Sequence, residues 1–438
     1  MMCRTSVLLA LFLAISCLPI VSHAQDNRYS LEKSIEEALE KNWSLKAKSE
    51  KVNQALDVKN QARAEFLPKL STSYGYTRLS EETIMRPSIP GLGTFALSSQ
   101  DNYQWRGTVT QPLFTGLALV SSYQLAKLGI DQSRMELELE KLDLALRVKE
   151  AYFNILIADK AVEVAEKEVE SLGSNVNLSS NFYNVGVIPV NDLLKAEVEL
   201  ASAQQALVKA RNAARLARAS FNTVLARPVS EAAEVEDILV FKPEQVNFED
   251  RLAQALESRP EMKITDINIL KTDQQARLSR SRNYPEISFQ YDYIKEGDDP
   301  DVSGSLFHDE GRWQAMAVFS WTFWEWGKTY YSVQENESQK KELAQLRLAL
   351  EDNICLELQQ AVLALETAEK NIPTTMKAVE QGEENMRVNE ERYKAQVTTI
   401  TEVLDAQTLL TQARVNYYKA LYLHNLAKAR LLRTVGTY

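Results

Sequence analysis

The sequence predicts a mainly α-helical chain with a small transmembrane β part, laid out as two structural repeats. Composition supplies the first observation. Of 438 residues only 14 are Gly and 12 are Pro, too few for a loop-rich all-β protein, while a 45% hydrophobic content is too high for a disordered chain. The second is that the chain aligns on itself. The third is a short segment, Ile287-Ser288-Phe289-Gln290-Tyr291-Asp292-Tyr293, in which every odd position is apolar or aromatic and every even one polar, the period of a strand with one dry and one wet face.

Residues 1–24 read as a secretory signal, with Arg4, an apolar run from Val7 to Leu18, and Ser22-His23-Ala24 before the cleavage point. Removing it takes away Cys3 and Cys17 and leaves Cys355, so no internal disulfide can form. A rival reading makes Cys17 a lipidated N-terminus after Ala14-Ile15-Ser16. Beyond residue 24 there is no run of 18 apolar residues, so a membrane-embedded part must consist of strands.

The first repeat is assigned to residues 25–246 and the second to 247–438. Leu31-Glu32, Ala38-Leu39-Glu40 and Phe66-Leu67-Pro68 align without a gap on Phe248-Glu249, Ala255-Leu256-Glu257 and Asn283-Tyr284-Pro285, 217 residues on. Further along, Phe182-Tyr183-Asn184 and Asp192 to Glu197 fall on Arg392-Tyr393-Lys394 and Glu402 to Gln407, 210 residues on. Each copy reads helix, Pro, strand, loop, strand, very long helix, tight turn, helix. Strands are expected at about 69–79 and 103–114, then at about 286–294 and 312–324. Tip turns are expected at about 185–189 and 396–399.

Aromatic residues gather in these strands. Tyr74, Tyr76, Trp105, Tyr291, Tyr293, Trp313, Trp321 and Trp324 suit a bilayer interface, which satisfies both an aromatic body and a polar tip. The alternative is a soluble sheet packed on helices, with the same aromatics as core. If the strands sit in lipid, about four per chain cannot close a barrel, since the smallest use roughly 8. Several copies must then pool them; three would give a dozen, and two or four remain open.

Gly116 to Val185 contains no Pro, and a continuous helix there spans on the order of 100 Å at about 1.5 Å per residue. Met135, Leu139, Leu142, Leu146, Phe153 and Leu156 keep the spacing of a coiled-coil seam, interrupted by Lys149. In the second copy, Pro373 and Gly382 are expected to bend or break the helix.

Several function classes are excluded. A net charge of −10 offers nucleic acid no basic face. Three His and three scattered Cys give no zinc spacing, and there is no nucleophile–base constellation or phosphate-cradling Gly loop. No enzyme activity, metal or cofactor is therefore expected. Scattered Met residues give no support to a copper-handling role.

The signal peptide, the duplication, the paired strands and the turns Phe182-Tyr183-Asn184-Val185-Gly186-Val187-Ile188-Pro189 and Arg392-Tyr393-Lys394-Ala395-Gln396-Val397-Thr398-Thr399 together resemble the TolC-like outer-membrane efflux protein family. Leu113-Phe114-Thr115-Gly116 and Phe323-Trp324-Glu325-Trp326-Gly327 resemble its strand-to-helix junctions, with one extra residue in the second copy. The resemblance implies a homotrimer with a 12-stranded β-barrel in the outer membrane of a Gram-negative-type bacterium and a long α-helical barrel in the periplasm. It implies a passive exit duct for small molecules or secreted proteins. The implied partners are a periplasmic adaptor (membrane fusion) protein, an inner-membrane RND or ABC transporter, and outer-membrane lipid. The competing function is a periplasmic coiled-coil scaffold without a pore.

The resemblance places Val185, Gly186, Val187, Ile188, Pro189 and Asp192, with Gln396, Val397, Thr398 and Thr399, at the adaptor-contacting tip. Gly186 suits a left-handed break, and Pro189 suits the first helical position. Ordinary helix-turn-helix punctuation explains the same residues. Glu402 and Asp405, three apart on one helical face, are implied to form the pore constriction, where symmetry would make a self-repelling, cation-favouring ring. Against that, Thr399-Ile400-Thr401-Glu402 reads as a capping box. The first copy carries Asp192 and Lys195 at these positions.

Overall fold

Strand and helix formation follow the two periodicities, and the duplication is visible element by element. The computed structural model describes residues 28–89, 91 and 93–438. The expected signal sequence and Cys17 lie outside the described residues. The first half comprises β1 (Arg28–Tyr29), α1 (Leu31–Lys41), α2 (Trp43–Ala64), β2 (Lys69–Arg78), β3 (Ile84–Met85), β4 (Phe95–Ala96), β5 (Asp101–Thr115), α3 (Ala118–Asn184) and α4 (Val190–Val224). After β6 (Glu234–Val235) come α5 (Phe248–Ser258), α6 (Pro260–Ser281), β7 (Glu286–Gly297), β8 (Gly311–Ser320), α7 (Lys328–Lys394) and α8 (Ile400–Val435).

Matching helices have equal lengths: 11 residues for α1 and α5, 22 for α2 and α6, and 67 for α3 and α7. The spacing between copies is 217 residues as far as the first strand (Lys69 to Glu286) and 210 from the second strand onward (Asp101 to Gly311). The difference is taken up in the hairpin loop, where the first copy carries the additional pair β3·β4.

The sheet runs β2-β5-β7-β8 with every neighbour antiparallel. Its register puts Leu70, Tyr74 and Tyr76 of β2, Tyr103, Trp105 and Val109 of β5, Phe289, Tyr291 and Tyr293 of β7, and Trp313 and Phe319 of β8 on one face. Rings touch from strand to strand on that face: Tyr76 stacks on Tyr103 at 4.7 Å, Trp105 meets Tyr293 at 6.2 Å, and Tyr291 stacks on Trp313 at 6.1 Å. The opposite face is mostly polar, with Ile294, Met316 and Val318 as its apolar members. There Asp292 accepts hydrogen bonds from Thr108 Oγ1 at 2.6 Å, Gln314 Nε2 at 2.8 Å and Gln290 Nε2 at 3.0 Å. β8 stops at Ser320, short of the expected 324, so Trp321 and Trp324 lie beyond the strand.

Each long helix starts after two consecutive left-handed residues, Gly116-Leu117 in the first copy and Trp326-Gly327 in the second. These pairs are 210 apart, so the extra residue expected in the second junction is absent; the glycine has changed places within the pair. A Cβ on Gly116 would overlap the Ser281 carbonyl oxygen and lie 2.9 Å from Tyr284 Cβ. Only glycine lets α3 start this close to the end of α6.

The expected break in α7 does not occur. Pro373 lies inside an uninterrupted helix that loses only the bond proline cannot donate, and buried Ile372 and Ala368 anchor the flanking turns. Gly382 serves close approach: a Cβ there would lie 3.4 Å from the Leu410 Cα, so α7 and α8 pack backbone to backbone.

The main core lies midway along the helices. Leu144, Val148, Tyr152, Phe153 and Ile155 of α3 pack with Phe221 of α4, Ala38 of α1 and Leu421 of α8. The Tyr152 hydroxyl sits 2.8 Å from the Tyr29 carbonyl and 2.9 Å from that of Glu236, tying the parallel pair β1·β6 to α3. Nearby, Arg433 contacts Asp143 at 2.9 Å and Glu261 at 2.8 Å, while Arg259 contacts Glu261 at 2.8 Å and Glu357 at 2.7 Å. Burial pushes the Glu261 carboxyl up, but the two guanidinium groups hold it below its ordinary value. Four long helices are joined at this point. Lys149, the break in the α3 seam, is buried.

Replacing Gly116 with Ala should destabilise the protein by more than the ~1–2 kcal/mol of a left-handed L-residue, because backbone must also move. Gly186→Ala, which meets open space, should cost only that strain. Thermal unfolding followed by circular dichroism separates the two.

Candidate functional site

The tip is built by local chemistry. At the end of α3, Gly186 N–H donates to the Tyr183 carbonyl and Val187 N–H to that of Phe182, both at 2.9 Å. At the end of α7, Gln396 N–H donates to Tyr393 and Val397 N–H to Arg392, again at 2.9 Å. Both are Schellman closures, with Gly186 at φ 77° and Gln396 at φ 60° in the left-handed position. Pro189 is the N-cap of α4, one residue before the expected first helical position. Thr399 is the N-cap of α8, but its side chain accepts no capping bond, so the expected capping box is absent.

The four helix ends share one small core, in which Leu172, Ala196, Met386, Tyr393, Ile400 and Val403 are buried. The Tyr393 hydroxyl pairs with Ser179 Oγ at 2.8 Å, and its ring meets Phe182 edge-on at 5.6 Å. Ser171 Oγ donates to Gln407 Oε1 at 2.7 Å. Burial pushes the Tyr393 phenol above its ordinary 10.0, and the nearby Asp192 charge adds to this. Tyr183, at the matching position of the first copy, is exposed.

Glu402 and Asp405 share the exposed face of α8, opposite buried Val403 and Ala406. On α4, Lys195 Nζ donates to Thr401 Oγ1 at 3.3 Å and lies 4.0 Å from Asp192. A cation from the first copy is thus joined to the helix turn that carries Glu402. Ile188, Asp192 and Thr398 are half-buried, while Gly186, Pro189, Gln396 and Thr399 are exposed. Bare apolar side chains cluster here: Val185 is 72% and Val397 64% exposed, with Val187, Val190 and Leu194 also open. The sequence alone gives no sign of the Lys195 link or of the different burial of Tyr183 and Tyr393.

The sheet supplies the second part of the site. Tyr74, Tyr76, Trp105, Tyr291, Tyr293 and Trp313 share its aromatic face, whereas Trp321 and Trp324 lie at the opposite end, against the helices. Trp321 Nε1 donates to the Asn283 carbonyl at 3.1 Å, and Trp324 meets Trp326 at 5.7 Å. Aromatic side chains thus gather toward both ends of the strands, with apolar residues such as Val109 and Phe289 between them on the same face. Among the described residues, no helix is long and apolar enough to cross a membrane.

The repeated helices, the antiparallel sheet and the paired tips define the class of fold: a two-repeat, mainly α-helical chain with one four-stranded sheet. The chain belongs to the outer membrane efflux protein family, whose profile matches residues 34–227 and 252–437. It is 23% identical over 285 residues to the cobalt-zinc-cadmium resistance protein CzcC of Cupriavidus metallidurans; the aligned region covers 64% of this chain and 64% of that relative. Among solved structures, the CmeC outer membrane channel of Campylobacter jejuni matches with a TM-score of 0.79 at 17% identity, covering 93% of this chain and 85% of that one. The outer membrane protein VceC of Vibrio cholerae matches at 0.76 and 15% identity, covering 93% and 96%. The open MtrE outer membrane channel of Neisseria gonorrhoeae matches at 0.74 and 19% identity, covering 93% and 89%.

Tyr393→Phe should lower stability by about 0.5–1.5 kcal/mol through loss of the buried Ser179 contact, whereas Tyr183→Phe should change little. Because the folded phenol titrates above 10.0, its contribution is complete at neutral pH and is lost as the pH rises above that value. Denaturant midpoints of the three proteins, measured at neutral and alkaline pH, check both statements.

Proposed function

We propose that three copies of this chain close a 12-stranded barrel in the outer membrane of a Gram-negative-type bacterium and extend a helical tube into the periplasm. The complex is a passive exit duct of a tripartite export system. One observation carries this reading: a four-stranded sheet with an apolar, aromatic face has two unpaired edges, β2 and β8. In lipid each bare N–H or C=O costs several kcal/mol, so the edges must be covered by other copies. A water-soluble scaffold has no use for an exposed face of Tyr, Trp and Phe side chains.

At the far end, the bare apolar tip residues Val185, Val187 and Val397, with the half-buried Ile188, form the surface for a periplasmic adaptor, which couples the duct to an inner-membrane RND or ABC transporter. Gly186, Pro189, Asp192, Gln396, Thr398 and Thr399 shape that surface. Glu402 and Asp405, exposed on α8, are the constriction. Repeated by a three-fold axis they form a doubled acidic ring that favours cations. The name of the relative CzcC makes divalent metal ions one cargo class to test.

Fractionation tests the assembly: outer-membrane extracts should contain a heat-sensitive trimer, and recovery as a soluble periplasmic protein would restore the scaffold reading. In planar bilayers, Glu402→Ala with Asp405→Ala should raise conductance and weaken divalent-cation block. Unchanged currents would remove the acidic constriction.

A further inference from the structure

The two copies are joined in the sheet by β5, the second strand of the first copy, and β7, the first strand of the second. Their register runs from Tyr103 opposite Gly297 to Thr115 opposite Glu286, with an irregularity between Pro112 and Phe114. The two hairpins themselves are in equivalent register. β2·β5 opposes Lys69 to Thr110 and Tyr76 to Tyr103; β7·β8 opposes Glu286 to Ser320 and Tyr293 to Trp313, the same pairs moved by 217 and 210 residues. Past Thr110, β5 continues for five residues, Gln111 to Thr115, whose strand partner is β7 alone. The equivalent residues of the second copy, Trp321 to Glu325, lie outside β8 and have no strand partner.

We infer that β8 and its continuation through Glu325 pair with β2 of a neighbouring copy in the register that β5 makes with β7. This rests on the proposed assembly of several copies. Moving the β5·β7 pairs by 210 and 217 opposes Phe319 to Tyr74 of the neighbour, Trp321 to its Thr72, Trp324 to its Leu70, and Glu325 to its Lys69. The chemistry fits each position. Trp324 and Leu70 are 65% and 80% exposed in the single chain and cover one another in this register. Glu325 and Lys69 bring opposite charges together, whereas the corresponding junction within the chain has Thr115 and Glu286. In the single chain these charges hold only exposed local partners, Lys69 with Glu65 at 2.5 Å and Glu325 with Lys328 at 3.8 Å.

The helices follow the same step of symmetry. Phe153 of α3 is buried in the core shared with α8, and Asn154 and Glu150 beside it bond Tyr422 and Arg430 of α8. The matching residue on α7, Leu363, is 50% exposed and borders an apolar groove of about 660 Å³ lined also by Ala364, Leu423 and Leu426. α4 of the neighbour, the counterpart of α8, lies along that groove.

Cross-linking tests the register. With Cys355→Ser as background, Phe319→Cys plus Tyr74→Cys places two thiols on opposed residues, whose Cα atoms are about 4.5–5.5 Å apart, within disulfide range. Within one chain they sit on opposite edges of four strands, three strand spacings or at least roughly 14 Å apart at about 4.8 Å per strand, and cannot bond. Non-reducing gels should show covalent dimers and trimers for this pair, and at least about fivefold less for Phe319→Cys with Thr72→Cys or Tyr76→Cys, which lie off register. Preferred linkage of an off-register pair, or no linkage while native sizing still shows a trimer, overturns the register and leaves the assembly standing. A monomer in every variant and in the parent overturns both. As a check independent of thiols, Lys69→Glu and Glu325→Lys should each lower the temperature at which the trimer dissociates, and the double exchange should restore it. A double variant as weak as the sum of the singles also overturns the register.

Discussion

A backbone polar group cannot be left unpaired in hydrocarbon, and most of the architecture follows from that constraint. The sheet has an apolar face of Tyr, Trp, Phe and Leu side chains and a polar face in which Asp292 gathers donors from three strands. Such a ribbon is stable in a bilayer only if its two margins meet other strands. Four strands are too few to curl back on themselves, so the requirement passes to the protein's association state and from there to the packing of its helices.

In the proposed assembly duplication meets the requirement economically, because one junction geometry serves twice. The price is asymmetry in side chains that occupy equivalent backbone positions. Tyr393 is buried on Ser179 whereas Tyr183 is open; Phe153 is covered by α8 whereas Leu363 is bare. Gly116-Leu117 and Trp326-Gly327 make the same left-handed turn with glycine in alternate places. In the first turn the glycine is dictated by the nearby Ser281 carbonyl, and in the second the backbone tolerates Trp326.

Much of this was legible in the sequence, and the misses have physical causes. The alternation of Ile287 to Tyr293 marked β7 because one face is apolar and the other is not, and the freedom from proline of residues 116–185 marked α3. Pro373 misled because local propensity counts one lost bond and a ring clash, while a 67-residue helix anchored by Ile372 and Ala368 absorbs both. Gly382 looked like a breaker but is a contact with Leu410 on another helix. The Thr399 cap failed because a residue pattern permits a side-chain bond without compelling it. Lys195 and Thr401 are 206 residues apart, and no spacing rule relates two helices that meet only after folding.

The shift in spacing from 217 to 210 residues is confined to the hairpin loops, and beyond them the long helices α3 and α7 return to an equal length of 67 residues. Sequence can therefore be gained or lost at the end of the sheet remote from the helices without transmitting a dislocation into the wall. That end of the sheet is free to vary in length, while the long helices stay bound to one geometry.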